Sequence, residues 1–172
     1  MRVVMIVALI ALACGIACTR IPPPPNDGYS PPGRRDPLAT LERTPCFGTC
    51  PVYQVTIFRD GTVEYVGERF VKIQGRATGQ LGAAELAQLR RLFERNDYLQ
   101  LRDSYERQDV TDQPSAYTSY SPVPGRTKSV RHYLGDRSAP RRLYRVEEGI
   151  DQIVNIEQWI GTPEERQNLP NP

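Results

Sequence analysis

Apolar and polar residues alternate after residue 51, and this pattern predicts the start of a sheet. Apolar residues occupy every second position from Val52 to Phe58, the period of a half-buried strand. Asp60-Gly61 then marks a hairpin. A three-residue loop, Arg59-Asp60-Gly61, with Gly61 in the left-handed conformation keeps the apolar residues of both strands on one face, whereas a two-residue turn mixes the faces. The predicted pairs are Ile57 with Val63 and Val55 with Tyr65.

Two other stretches have the period of a helix. From Ala83 to Arg95, apolar residues recur at spacings of three and four and form one stripe. A second stretch runs from about Pro140 to Ile160, where Pro140 suits a first helical turn and Gly161 an end. The pattern predicts two helices, the second of them continuous.

The remaining segments complete the predicted domain. Further strands are expected at Ala39–Thr44, near Phe70–Gly75, at Ser115–Ser121 and at Lys128–Leu134, with an irregular loop over residues 102–114. The fold class is therefore α+β: an antiparallel sheet of about five strands with two helices packed against it. We expect one domain over residues 38–162, followed by a disordered polar tail at 163–172.

The first residues resemble an export signal. Arg2 precedes an apolar run from Val3 to Ala13, which is too short to span a bilayer, and two cysteines follow. Each cysteine ends a sequence similar to the lipobox of bacterial lipoproteins. Cys18 is the preferred lipidation site and Cys14 the alternative, so residues 1–17 are predicted to be a signal peptide. An ordinary secretory signal with incidental cysteines is the other interpretation.

Residues 18–37 are predicted to be the lipidated cysteine and a proline-rich tether. Four consecutive prolines, Pro22–Pro25, are followed by Pro31, Pro32 and Pro37. Proline fixes the backbone and lacks an amide donor, so this segment is expected to form an extended spacer.

The net charge and the predicted signal peptide indicate where the protein is located and which classes of partner it has. The formal net charge is only +2, which argues against a nucleic-acid partner. Neither candidate lipidation cysteine is followed by aspartate, which resembles a Gram-negative lipoprotein sent to the outer membrane. We therefore expect an outer-membrane lipoprotein that faces the periplasm of the cell envelope, with the membrane and an unknown envelope protein or ligand as partners.

Cys46 and Cys50 flank a short loop that precedes the first clear strand. Outside the cytoplasm such thiols tend to oxidise, and Gly48 makes a sharp turn easy, so a structural disulfide is predicted. A redox-active pair is the alternative, although redox dithiols usually lie two residues apart at a helix N-terminus. A metal site is disfavoured because a fourth ligand is missing, and no cofactor is predicted.

The loop and several later positions resemble an uncharacterised bacterial family, the domain-of-unknown-function family 6438. The matching residues are Cys46 to Tyr53, Asp60 to Val63, Gly67, Thr111-Asp112, Lys128, Ile150-Asp151 and Trp159-Ile160. The resemblance spans nearly the whole domain. It implies domain limits but no activity.

Other candidate residues for chemistry are few. His132, on an apolar strand face, is interpreted as a hydrogen-bonded core residue rather than a base. Asp112 is interpreted as a side chain that caps loop amides, and Asp112 and Lys128 are, as the functional alternative, a candidate polar binding site. A hydrolase would require Asp112 to meet His132 in a cleft. The sequence predicts a non-catalytic binding or structural module, with a thiol-disulfide oxidoreductase using Cys46 and Cys50 as the alternative function.

Overall fold

One mixed sheet organises the domain in the computed structural model, which describes residues 36–169. Its strands in this range are β1 (Pro37–Arg43), β2 (Val52–Phe58), β3 (Thr62–Arg69), β4 (Gly75–Gln80), β5 (Ser104–Tyr105), β6 (Ser115–Val123) and β7 (Arg126–Tyr133). Their order across the sheet is β4-β3-β2-β1-β6-β7-β5. The short strand β5 runs parallel to β7, and the other neighbours are antiparallel. The α+β class is confirmed, and the expected sheet of about five antiparallel strands was too small.

The first hairpin has the predicted register. Ile57 lies opposite Val63, and Val55 lies opposite Tyr65. Gly61 has a φ of 86°, a conformation that glycine adopts without steric cost. The alternating pattern of the two strands therefore identified both the loop length and the buried face.

The strand predicted near Phe70–Gly75 was wrong. The chain turns at Phe70, which has a φ of 53°, and the next strand, β4, begins only at Gly75. The amides of Lys72 and Ile73 donate to the carbonyls of Ile160 and Trp159, at 3.1 and 2.8 Å. These residues bind a distant helix, so they are not part of the strand ladder.

The helices are α1 (Ala83–Arg95), α2 (Arg141–Ile153), α3 (Glu157–Ile160) and α4 (Pro163–Gln167), with a short 3-10 helix at Tyr98–Gln100. The prediction for α1 is confirmed. The second predicted helix is broken, because Asn155 has a φ of 50° between α2 and α3. Asparagine tolerates this left-handed conformation better than most residues. None of the helices in the described range is long and apolar enough to cross a membrane.

The expectation of a disordered tail from residue 163 was wrong for α4. Thr162 accepts a hydrogen bond from the Glu165 amide, and the Glu165 carboxylate accepts one from the Thr162 amide. This reciprocal capping box satisfies two amides that would otherwise lack helical partners. Glu165 also pairs with Lys72 at 2.7 Å, so α4 is tied to the turn before β4.

The sheet has one covered and one open face. Leu41, Val55 and Tyr65 are fully buried on the covered face, against which α1 and α2 pack. The ring of Phe93 in α1 stacks on Tyr120 of β6, with 4.1 Å between ring centroids. Intervening residues of the strands, such as Glu42 and Gln54, face solvent. The core is thus one layer deep, between the sheet and the helices.

Candidate functional site

A disulfide joins Cys46 and Cys50 and closes the loop between β1 and β2. Their Cα atoms are 5.8 Å apart, within the usual range for a disulfide. Hydrogen bonds to the segment before and at the start of β6 fix the loop on its other side: Thr44 N to the Ser115 carbonyl at 3.0 Å, Ser115 N to Thr44 Oγ1 at 2.8 Å, and Phe47 N to the Asp112 carbonyl at 3.4 Å. The loop is therefore held both by its own cross-link and by a neighbouring strand.

Phe47 lies at the tip of this loop and is 91% exposed. A large aromatic side chain in water forgoes the free energy that burial would provide. The disulfide and the hydrogen bonds restrict the backbone of the loop that carries Phe47. The sequence interpretation concentrated on the two cysteines and missed Phe47. The sequence did contain a signal for it: Phe47 lies between two cysteines only four positions apart, and a disulfide loop of this length is too short to cover an aromatic side chain.

An open groove of about 470 Å³ lies between the disulfide loop and α4. Phe47 and Pro51 line the loop side, and Pro163 and Arg166 line the helix side. Arg166 is the only charged residue among the groove-lining residues in the described part of the chain. Its Nη1 donates to the Gly161 carbonyl at 2.5 Å, which holds the side chain against the domain. The groove therefore combines an apolar wall with one positive charge.

A hydrogen-bonded cluster supports the base of the loop. Asp151 of α2 accepts from Arg43 Nη2 at 2.7 Å and from the Tyr53 hydroxyl at 2.7 Å, and Arg43 Nε also donates to that hydroxyl at 3.1 Å. Burial disfavours the charge on Arg43, but the Asp151 carboxylate outweighs it, and the pKa of Arg43 is raised. Burial and then Asp151 raise the pKa of Tyr53. The cluster fastens the strands on both sides of the loop to one helix.

His132 lies in the core, as the sequence interpretation expected. Its Nδ1 is 2.7 Å from Oε1 of Glu147 in α2, and the two side chains are 0% and 2% exposed. Nε2 has no hydrogen-bond partner among residues 36–169. The ring meets Tyr144 edge-on, with 4.6 Å between centroids. Because solvent does not reach the pair, its geometry is that of a structural contact between sheet and helix.

The structure does not bring Asp112 and Lys128 together. Lys128 pairs with Asp103, and its position in β7 is opposite Tyr120, far along the strand from the disulfide loop. Asp112 lies beside that loop, where its carboxylate accepts from Thr111 Oγ1 at 3.2 Å. The candidate polar site is therefore not assembled.

The hydrolase arrangement is not assembled either. His132 is enclosed between the sheet and α2, whereas Asp112 is exposed in the loop before β6. A general base and its partner must be within hydrogen-bond reach of each other and of a substrate. These two residues share no cleft.

Taken together, these features define a class of protein: an α+β domain with one sheet, helices on a single face and a disulfide-closed loop at one end. The chain belongs to the family described as Domain of unknown function (DUF6438), which matches residues 37–154. The match extends from β1 to the end of α2, so it includes the disulfide loop but not α3 and α4. No curated protein matches the chain.

Proposed function

We propose that this protein is a lipid-anchored component of the cell envelope whose domain is a non-catalytic binding module, with the disulfide loop as its contact surface. The observation that carries the proposal is the 91% exposure of Phe47 in a loop closed by a disulfide. Exposed aromatic residues on a restrained backbone are typical binding anchors, because they bury a large area at low cost in conformational entropy. We expect Phe47 to become buried against an envelope partner.

Two further observations support an envelope location. Disulfides persist in oxidising compartments, which include the bacterial periplasm. The sequence has the candidate lipidation residues Cys18 and Cys14 and most of the proline-rich tether before Asp36, outside the described residues. The last residue predicted for the tether, Pro37, is the first residue of β1. In this proposal Cys18 carries the lipid, and the protein is an outer-membrane lipoprotein facing the periplasm.

The direction of β1 suits such an arrangement. The strand begins at Pro37, which lies opposite Phe58 beside the first hairpin loop, and it ends at Arg43, just before the disulfide loop. A seven-residue strand is about 20 Å long. The contact loop is thus at the opposite end of β1 from Pro37, the first residue of that strand.

The alternative function, a thiol-disulfide oxidoreductase, lacks the usual structural support. Redox dithiols gain reactivity at a helix N-terminus, which lowers the pKa of the attacking thiol. Cys50 instead leads into strand β2. We therefore propose a structural role for this disulfide, as a fixed support for Phe47.

Site-specific photo-crosslinking in living cells tests this proposal. p-Benzoylphenylalanine replaces Phe47 in the full-length protein and, as a matched control, Leu99 of the 3-10 helix, which is 50% exposed. We expect a discrete crosslinked product with one envelope component at position 47 and little or none at position 99. Equal yields at the two positions, or no product at position 47, would contradict the proposal.

A further inference from the structure

We infer that the groove between the disulfide loop and α4 binds an extended acidic segment of a protein partner, whose carboxylate pairs with Arg166 while a neighbouring apolar side chain packs on Phe47. This inference rests on the proposed function and specifies the chemistry of the partner.

The charge of the groove selects the partner. Arg166 contributes a positive charge, and none of the groove-lining residues within the described range is acidic. A guanidinium next to an apolar wall is suited to a carboxylate, because its planar donors match the two carboxylate oxygens. A basic segment would meet Arg166 and would find no acidic residue among those that line the groove within the described range.

The position of Arg166 is maintained by the structure around it. Nη1 is bound to the Gly161 carbonyl, and the capping box of Thr162 and Glu165 fixes the first turn of α4. The carboxylate of Glu165 is engaged by Lys72, at 2.7 Å. Glu164 is in the same helix but does not line the groove. Arg166 is thus the charge that faces an incoming ligand.

The shape of the groove favours a peptide chain. A volume of about 470 Å³ is within the range of ligand sites, and the groove is open to solvent. Phe47 and Pro51 on one wall and Pro163 on the other offer flat apolar contacts on both sides of a chain. An extended segment can place one side chain on Phe47 and an adjacent one towards Arg166, because successive side chains of an extended chain point in opposite directions.

A random heptapeptide display library, panned against the full-length lipidated protein in detergent, tests this inference. The library is panned in parallel against Phe47→Ala, Arg166→Gln and a matched control, Arg76→Gln, which removes an exposed arginine from the edge strand β4. We expect enriched peptides to have an acidic residue next to an apolar one. Enrichment should disappear with Phe47→Ala and should lose its acidic preference with Arg166→Gln.

Binding of synthetic versions of the enriched peptides then tests directly whether the peptide carboxylate pairs with Arg166. Replacing the peptide carboxylate by its amide should weaken binding about tenfold for the unaltered protein and for Arg76→Gln, but not for Arg166→Gln. Phe47-dependent peptides without an acidic preference would overturn this inference and leave the proposed function intact. Absence of any Phe47-dependent peptide would also overturn it, and an additional absence of crosslinking at position 47 would refute both.

Discussion

Phe47 and the His132–Glu147 pair depart in opposite ways from the rule that apolar side chains are buried and ionisable side chains are exposed. The pair places two ionisable side chains at 0% and 2% exposure, whereas Phe47 places an aromatic ring in water at 91% exposure. In each case the local structure prevents rearrangement: the pair is enclosed between β7 and α2, and the loop of Phe47 is closed by a disulfide.

The buried pair and Phe47 differ in what each contributes to the stability of the fold. The pair joins a strand to a helix, and a buried polar group is costly unless its partner is present. Within residues 36–169, the amide of Phe47 donates to the Asp112 carbonyl, and its ring is 91% exposed. Folding therefore explains the first anomaly, and the proposed binding function would explain the second.

Removing one member of the buried pair should have the largest effect. We expect Glu147→Leu to lower the free energy of unfolding by about 3–5 kcal/mol, because His132 is left in the core with neither ring nitrogen paired. The double variant His132→Leu/Glu147→Leu should be more stable than the single variant. Urea unfolding measures both. A loss below about 1 kcal/mol for the single variant would contradict a structural role for the pair.

Opening the disulfide should have an intermediate effect. Cys46→Ser/Cys50→Ser should lower the free energy of unfolding by about 2 kcal/mol, because the closed loop is short and the chain entropy it removes is small. Urea unfolding of the oxidised protein and of this variant gives the difference. A much larger loss would mean that the loop supports the core and is not merely a platform.

The charge of a second buried carboxylate, that of Asp136, should have a smaller effect on the free energy of unfolding, and its contribution should change only at acidic pH. Burial opposes the charge on Asp136, but hydrogen bonds from Ser138 and the Arg107 amide outweigh it and lower the pKa of Asp136 to about 2. A lowered pKa stabilises the fold above the ordinary value of about 4, and this contribution is lost as the pH falls from about 4 towards 2.

The test compares unfolding of the unaltered protein and Asp136→Asn across this range. The stability difference should be constant above about pH 5 and should shrink below about pH 4. A difference that stays constant down to about pH 2 would show that the carboxylate charge is not what the site stabilises.

The smallest effect on stability is expected for Phe47. Phe47→Ala should change the free energy of unfolding by less than about 0.5 kcal/mol, since the ring is already in water. Phe93→Ala is the matched control: Phe93 is 1% exposed, and its loss should cost about 3–5 kcal/mol. Comparable losses in the two variants would show that Phe47 has a packing role.

The sequence was sufficient for the elements whose side chains alternate clearly. The register of the first hairpin follows from apolar periodicity together with the turn signal of Asp60-Gly61, and α1 follows from its apolar stripe. The break after α2 was not predictable, because the apolar pattern continues through it while Asn155 takes a left-handed conformation. The turn at Phe70 depends on amides that bind α3, a contact between distant parts of the chain.

The candidate site was only partly predictable, for the same reason. The pairing of Cys46 and Cys50 follows from their spacing and the expected compartment. The groove depends on α4, which Glu165 joins to Lys72 and Arg166 joins to the Gly161 carbonyl. These contacts could not be read from a polar tail. Asp112 and Lys128 were grouped without knowledge of the β6–β7 register. Lys128 lies opposite Tyr120, whereas Ser115, close to Asp112 in the chain, lies opposite Tyr133 at the other end of β7.

Photo-crosslinking from position 47 with the loop closed and with the loop open tests most directly whether the disulfide displays Phe47 for a partner. The crosslinking residue is placed at position 47 in the unaltered loop and in the Cys46→Ser/Cys50→Ser background, at matched protein levels. We expect a strong crosslink to one envelope component from the closed loop and a several-fold weaker one from the open loop. The same weak, unspecific labelling from both would contradict the account.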